Sequence, residues 1–146
     1  MLPAQQIQYL NFPQIPQELV DKLTLNFDQY QKVSHDPEVW FWSDSFNQEI
    51  NEWGQKNICS KMYFAFHHMI PGSQIHKDST KLKLNYLISL GGSNVITNFY
   101  DEDKTTILNS YCVEPHRWHL FQADEWHGVE NIEPDQYRFM VTAGVF

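Results

Sequence analysis

The sequence predicts a mainly β protein, a sandwich or barrel with two helices packed on its outside. Three observations carry this reading. Apolar residues in the first third fall at helical spacing, the hydrophobic period drops to two after Gly54, and the remaining chain is a series of short apolar runs separated by turn residues. At 146 residues, with 42% apolar and 19% charged residues, the chain has the size and composition of one globular domain able to bury a core.

Residues 1–15, with Pro3 and Pro13, read as an extended lead-in. Pro16 suits a first helical turn, and Leu19, Val20, Leu23 and Phe27 then recur on one helical face until His35-Asp36-Pro37 breaks the pattern. A second helix is predicted over 44–53, with Ser43 or Ser45 as N-cap, Phe46, Ile50 and Trp53 as its apolar face and Gly54 as its stop. Ile58 to Met69, rich in aromatics, reads as a strand, and Pro71-Gly72 as a turn. From Lys81 to Leu90 the chain alternates, with Leu82, Leu84, Tyr86 and Ile88 on one face and Lys83, Asn85 and Ser89 on the other. Gly91-Gly92-Ser93-Asn94 turns it into a returning strand over 95–100, and further strands are predicted at about 105–113, 117–122 and 136–145.

Ten basic residues against 18 acidic ones give a net charge of −8. That balance argues against a nucleic-acid partner, and Lys77, Lys81 and Lys83 read as solvated strand and loop lysines. No apolar run approaches the roughly 18 residues of a membrane span, and the start MLPAQQIQYLNF lacks a basic segment followed by an apolar one. Cys59 and Cys112 do not make a disulfide framework. The expectation is a cytoplasmic protein with reduced thiols and no membrane contact.

The chemistry gathers in the strand-rich part. His76-Lys77-Asp78 is a His-x-Asp pair, and on extended chain residues two apart point the same way, with Cα atoms roughly 6.5–7 Å apart. An imidazole and a carboxylate so placed converge on one ion. His127 follows after 48 residues, and Arg138, one of two arginines in the chain, after ten more, in the final strand. Two His and one carboxylate make the facial triad of non-haem Fe(II) oxygenases, which leaves three coordination positions open for a bidentate 2-oxo acid and dioxygen. A guanidinium is the permanently charged, bidentate partner that the far carboxylate of such a cosubstrate needs.

The pattern His76-x-Asp78-x48-His127-x10-Arg138 resembles that of the 2-oxoglutarate- and Fe(II)-dependent dioxygenases, most closely the short phage and bacterial members. In these a Pro-Gly turn leads into the His-x-Asp and a Leu-Asn-containing strand follows. The matching stretches are PGSQIHKDSTKLKLNYLISL and LFQADEWHGVENIEPDQYRFMVTAGV, and with the strand before them the resemblance covers about residues 58–146. It implies a double-stranded β-helix (jelly-roll, cupin-like) core over 58–146, with 1–57 as a helical N-terminal part packing on the barrel of a single domain. It further implies Fe(II) held by His76, Asp78 and His127, 2-oxoglutarate held through its far carboxylate by Arg138, and hydroxylation of a substrate with O2 as 2-oxoglutarate is split to succinate and CO2. Asn85 and Tyr63 are the candidates for a further hydrogen-bond donor to the cosubstrate. Many relatives carry Ser or Thr two residues after the Arg; Met140 stands there in this chain, and Thr142 two further on.

Two other readings use the same residues. One is a jelly-roll binding module without catalysis. The other is a cupin-type metalloenzyme that does not use 2-oxoglutarate and has no need of Arg138. His67 and His68 alternate on one strand, so only one of them faces inward. His116 and His119, with Glu114 and Asp124, resemble a second metal site, but Arg117-Trp118 reads as strand and would turn the two His apart. Trp126 beside His127 reads as pocket wall or core.

Overall fold

The computed structural model describes residues 6–25, 32–36, 40–45, 47–69, 75–89, 96–130 and 138–145, with the backbone alone for 32–36, 40–45, 67–69, 89, 138 and 145. The strands are β1 (Ile7–Tyr9), β2 (Lys32–Asp36), β3 (Trp40–Ser45), β4 (Phe64–Met69), β5 (Leu82–Ser89), β6 (Ile96–Tyr100), β7 (Ile107–Tyr111), β8 (Trp118–Gln122), β9 (His127–Glu130) and β10 (Arg138–Val145). The helices are α1 (Gln17–Leu25) and α2 (Gln48–Asn57). A seven-stranded sheet runs β1-β8-β5-β10-β4-β3-β2 and a three-stranded one β7-β6-β9, antiparallel throughout.

The period-two pattern of β5 explains how the layers stack. Leu84, Tyr86 and Ile88 pack with Phe64, Phe66, Trp118, Val141 and Ala143 of neighbouring strands and with Val20, Leu23 and Ile50 of the two helices, forming the outer core. The Val, Leu, Ile and Phe side chains among them each contribute about 1.5–3 kcal/mol by leaving water. Trp118 anchors this layer: it is 1% exposed, its indole N–H donates to the Pro13 carbonyl at 2.8 Å, and Trp53 stacks on it. Leu87, on the opposite face of β5, joins Ile7, Phe99, Val113, Phe121 and Ala123 in a second cluster that draws on both sheets. The large sheet is therefore covered on both faces, and Lys83 and Asn85 share the inner face with Leu87.

The structure corrects the expected N-terminal third. Residues 1–57 are not simply helical, since β1, β2 and β3 all join the large sheet. The lead-in pairs with β8, Ile7 opposite Phe121. Residues 44–45, expected to open the second helix, instead end β3, which pairs with β4. That helix starts later, at Asn47, whose Oδ1 accepts the Ile50 N–H at 2.9 Å. It also runs past Gly54 to Asn57. Gly54 is buried where a Cβ would overlap the Phe64 ring, so it permits close packing rather than ending the helix. Asn51 ties the same contact, its Oδ1 accepting the Phe64 N–H at 2.9 Å. The aromatic strand begins at Phe64 rather than Ile58, and 127–130, not read as a separate strand, is β9. The turns at 71–72 and 91–94, and Phe27 and Phe46, lie outside the described residues.

Candidate metal centre

His76 and Asp78 lie on the segment leading into β5, and His127 opens β9. The backbone zips these stretches together. His76 and His127 each donate an amide to the other's carbonyl at 2.9 Å, and the Asp78 N–H donates to the Ala123 carbonyl at 2.8 Å. The bridge sets His127 opposite His76, and the extended His-x-Asp brings Asp78 to the same side. The potential ligand atoms of the three residues fall within 4.8 Å of one another, and no second such group forms among the described residues.

The donor set fits one ion. Bonds of about 2.1 Å at right angles place neighbouring ligand atoms roughly 3 Å apart. His76 Nε2 stands 3.7 Å from Asp78 Oδ1, and His127 Nε2 3.5 Å from Asp78 Oδ2. Side-chain shifts of roughly 0.5–1 Å close these distances onto a cation. The tautomer of the neutral His127 ring is set from behind: its Nδ1 lies 2.7 Å from the Glu125 carbonyl, which only accepts, so in that form Nδ1 carries the proton and Nε2 presents its lone pair, whereas in the protonated ring Nε2–H points to Asp78. Phe121 and Phe99 flank the His127 ring at 4.8 and 6.0 Å between centroids and hold its plane. The His76 and His127 rings lie 4.4 Å apart.

Asp78 is ionised throughout the ordinary pH range. Burial pushes its pKa up, but the hydrogen bond from His127 and the charges of Lys83, His127 and His76 outweigh burial and bring it down to about 2. Lys83 reaches the carboxylate directly, Nζ to Oδ2 at 3.4 Å. The sequence reading took Lys83 for a solvated lysine. The signal that finds it is its place on the face of β5 that Asn85 shares.

The other expected residues divide. Asn85 is buried on the inner face, where its Oδ1 accepts the Thr142 hydroxyl at 2.7 Å. Met140 and Thr142 alternate with Val141 and Ala143 of the outer core, so β10 turns Met140, 9% exposed, inward. Arg138 opens β10 opposite Met69, and its side chain lies outside the described residues, as do those of His67 and His68. Tyr63 is not brought to the triad: it precedes β4 and is 71% exposed. His119 is buried opposite Asn85, while His116 sits at a left-handed turn (φ 62°) against the Tyr86 ring, so the two are held in different settings. Trp126 is no core residue; the ammonium groups of Lys77 and Lys104 lie over its ring, and it lines a cleft of about 410 Å³ with Lys77, Tyr100, Glu102, Asp124 and Glu125. Cys59 and Cys112 are free thiols. No helix among the described residues is long and apolar enough to cross a membrane.

Facing antiparallel sheets with the triad between β5 and β9 define a double-stranded β-helix carrying a candidate mononuclear metal centre. Solved structures of similar fold include IDO from Bacillus thuringiensis, at 11% identity over 88% of this chain and 84% of that one, TM-score 0.51. Hydroxypropylphosphonic acid epoxidase from S. wedmorenis aligns at 3% identity over 81% of this chain and 56% of its own, TM-score 0.49. A mutant oxalate decarboxylase of Bacillus subtilis aligns at 12% identity over 80% of this chain, TM-score 0.48, and this chain spans 28% of the decarboxylase. At such identities the likeness concerns the fold. No model of a known protein family and no curated protein matches the sequence.

Proposed function

We propose that this protein is a mononuclear non-haem Fe(II) oxygenase that takes 2-oxoglutarate as cosubstrate and hydroxylates a further substrate. The observation that carries the reading is the convergence of two imidazoles and one carboxylate within 4.8 Å on a jelly-roll scaffold. With 2-oxoglutarate and O2, the bound iron supplies oxidation of a substrate C–H bond coupled to decarboxylation of the cosubstrate. The chain's own residues supply position and charge. His76, Asp78 and His127 would hold the metal. The Glu125 carbonyl keeps His127 in the ligating tautomer. Asn85, whose carbonyl oxygen accepts from Thr142, would turn its amide N–H toward a cosubstrate oxygen. Arg138 receives the far carboxylate of 2-oxoglutarate in a bidentate pair.

A cupin-type metalloenzyme without 2-oxoglutarate is the second reading. The observation that favours it is Met140, buried and apolar on the inner face where a second donor to the cosubstrate carboxylate would stand.

Anaerobic titration with Fe(II) and then 2-oxoglutarate, followed in the visible spectrum, separates the two. A charge-transfer band that is lost in His127→Ala supports the oxygenase. Bound iron without a band favours the cupin-type enzyme. Absence of iron binding sinks both and leaves a jelly-roll binding module.

A further inference from the structure

Lys83 sits on β5 opposite Phe121 of β8 on one side and Gly144 of β10 on the other. An ammonium on an inner face is unfavourable unless an anion meets it. Here the anion is Asp78, its Oδ2 at 3.4 Å, with the two side chains 29% and 17% exposed. The two oxygens of Asp78 therefore stand in different settings. Oδ2 lies between Lys83 and His127, and Oδ1 faces His76 at 3.7 Å.

We infer that Lys83 is a positioning residue of the metal centre: its ammonium fixes the Asp78 carboxylate in the orientation that offers one oxygen, not two, to the ion. The inference rests on the reading of His76, Asp78 and His127 as metal ligands. Carboxylates bind cations through one oxygen or both. Chelation by both would consume a coordination position that a bidentate cosubstrate needs, because the facial triad works by leaving three open. An ammonium has three rotatable donors and no acceptor, so it keeps hold of a carboxylate oxygen while the other turns to the metal. Lys83 also gives the carboxylate its counter-charge before any metal arrives, so the triad is assembled in the metal-free protein.

Loss of Lys83 has two opposed effects. Removing a cation beside a cation tightens metal binding, whereas releasing the carboxylate weakens it, and groups that orient metal ligands are typically worth 10–100-fold in affinity. A positioning role and a purely electrostatic one thus predict opposite signs. The test is the Kd for Mn(II), from loss of the free-ion EPR signal, together with the visible spectrum of bound Co(II), in wild type, Lys83→Gln and Lys83→Arg. The expected result is weakening by roughly 10–100-fold in Lys83→Gln with an altered Co(II) spectrum, and recovery of both in Lys83→Arg. Lys83→Met, which keeps the apolar stem, replaces Lys83→Gln should the latter lose its cooperative thermal melt. Equal or tighter Mn(II) binding without Lys83 overturns the inference and leaves the metal-centre reading intact. A wild-type protein that binds no Mn(II) overturns the metal-centre reading and this inference with it.

Discussion

His76 and His127 are joined backbone to backbone, each amide donating to the other's carbonyl at 2.9 Å. The two candidate histidine ligands therefore come into register through main-chain bonds that need no metal. Asp78 follows through its own amide bond to Ala123. A site built this way is preformed, and its side chains can be removed without dismantling the bridge beneath them.

The first prediction concerns that separation. His127→Ala should abolish Mn(II) binding while the protein still folds. The imidazole is 5% exposed and packed between Phe121 and Phe99, so its loss leaves a small cavity costing about 1–3 kcal/mol. Urea denaturation of the metal-free proteins checks the stability. A variant that fails to fold would mean that the ring, rather than the bridge, holds the segments together.

Asp78 predicts a pH dependence. Its folded pKa, about 2, lies below the model-peptide value of 3.8, so the unfolded chain binds the proton more tightly and stability rises with pH. The contribution is fully present above about pH 4 and is lost as pH falls toward 2, with a size of about 2 kcal/mol in the metal-free protein. Asp78→Asn should lack this component. The stability gap between wild type and variant should therefore shrink by about that amount between pH 5 and pH 2, as measured by urea denaturation of the metal-free proteins. A gap independent of pH would mean that the partners of Asp78 do not hold it ionised.

Sequence legibility followed the range of the interactions. The strand β5 could be read because Leu82, Leu84, Tyr86 and Ile88 recur at a period of two, broken only by Leu87 on the other face, and α1 because its apolar positions recur every three to four residues. The pairing of His76 with Asp78 in the candidate site was legible from residue type and spacing, since an extended His-x-Asp fixes its own geometry. What was missed depends on partners that only the folded chain brings together. The three residues of β1 become a strand by pairing with β8, and β3 by pairing with β4, while Ser43 and Ser45 nearby carry the chemistry of helix caps. Lys83 looked solvated because its anion, Asp78, reaches it only after the turn into β5 has folded.

Gly54 offers a test of one such miss. Were it a helix stop or a weak point of α2, Gly54→Ala would be neutral or stabilising by up to about 1 kcal/mol, through helix propensity alone. The structure expects the reverse. The added Cβ overlaps the ring of Phe64, which is 1% exposed and gripped by Trp118 edge-on, so neither side can give way. Overpacking of this kind costs about 1–3 kcal/mol, and the net effect should be destabilising by about 1–2 kcal/mol in urea denaturation. Phe64→Leu in the Gly54→Ala background should recover part of the loss, because the smaller side chain vacates the space the new methyl needs.

Arg138 decides between the two enzymatic readings. If it receives the far carboxylate of 2-oxoglutarate, Arg138→Met removes a charge-assisted bidentate pair while leaving His76, Asp78 and His127 in place. Hydrogen bonds to charged groups are worth up to about 3 kcal/mol each, so 2-oxoglutarate should bind the metal-loaded protein on the order of 100-fold more weakly. Mn(II) affinity should stay within a few-fold of wild type, because no ligand atom has been touched. Calorimetric titration of the Mn(II) protein with 2-oxoglutarate measures the first quantity, and the free-ion EPR signal the second. Joint loss of both affinities would indicate a structural role for Arg138 in β10. Unchanged 2-oxoglutarate affinity would remove the guanidinium from the cosubstrate site, and with Met140 already apolar on the inner face, it would turn the balance to a metalloenzyme that uses no 2-oxo acid.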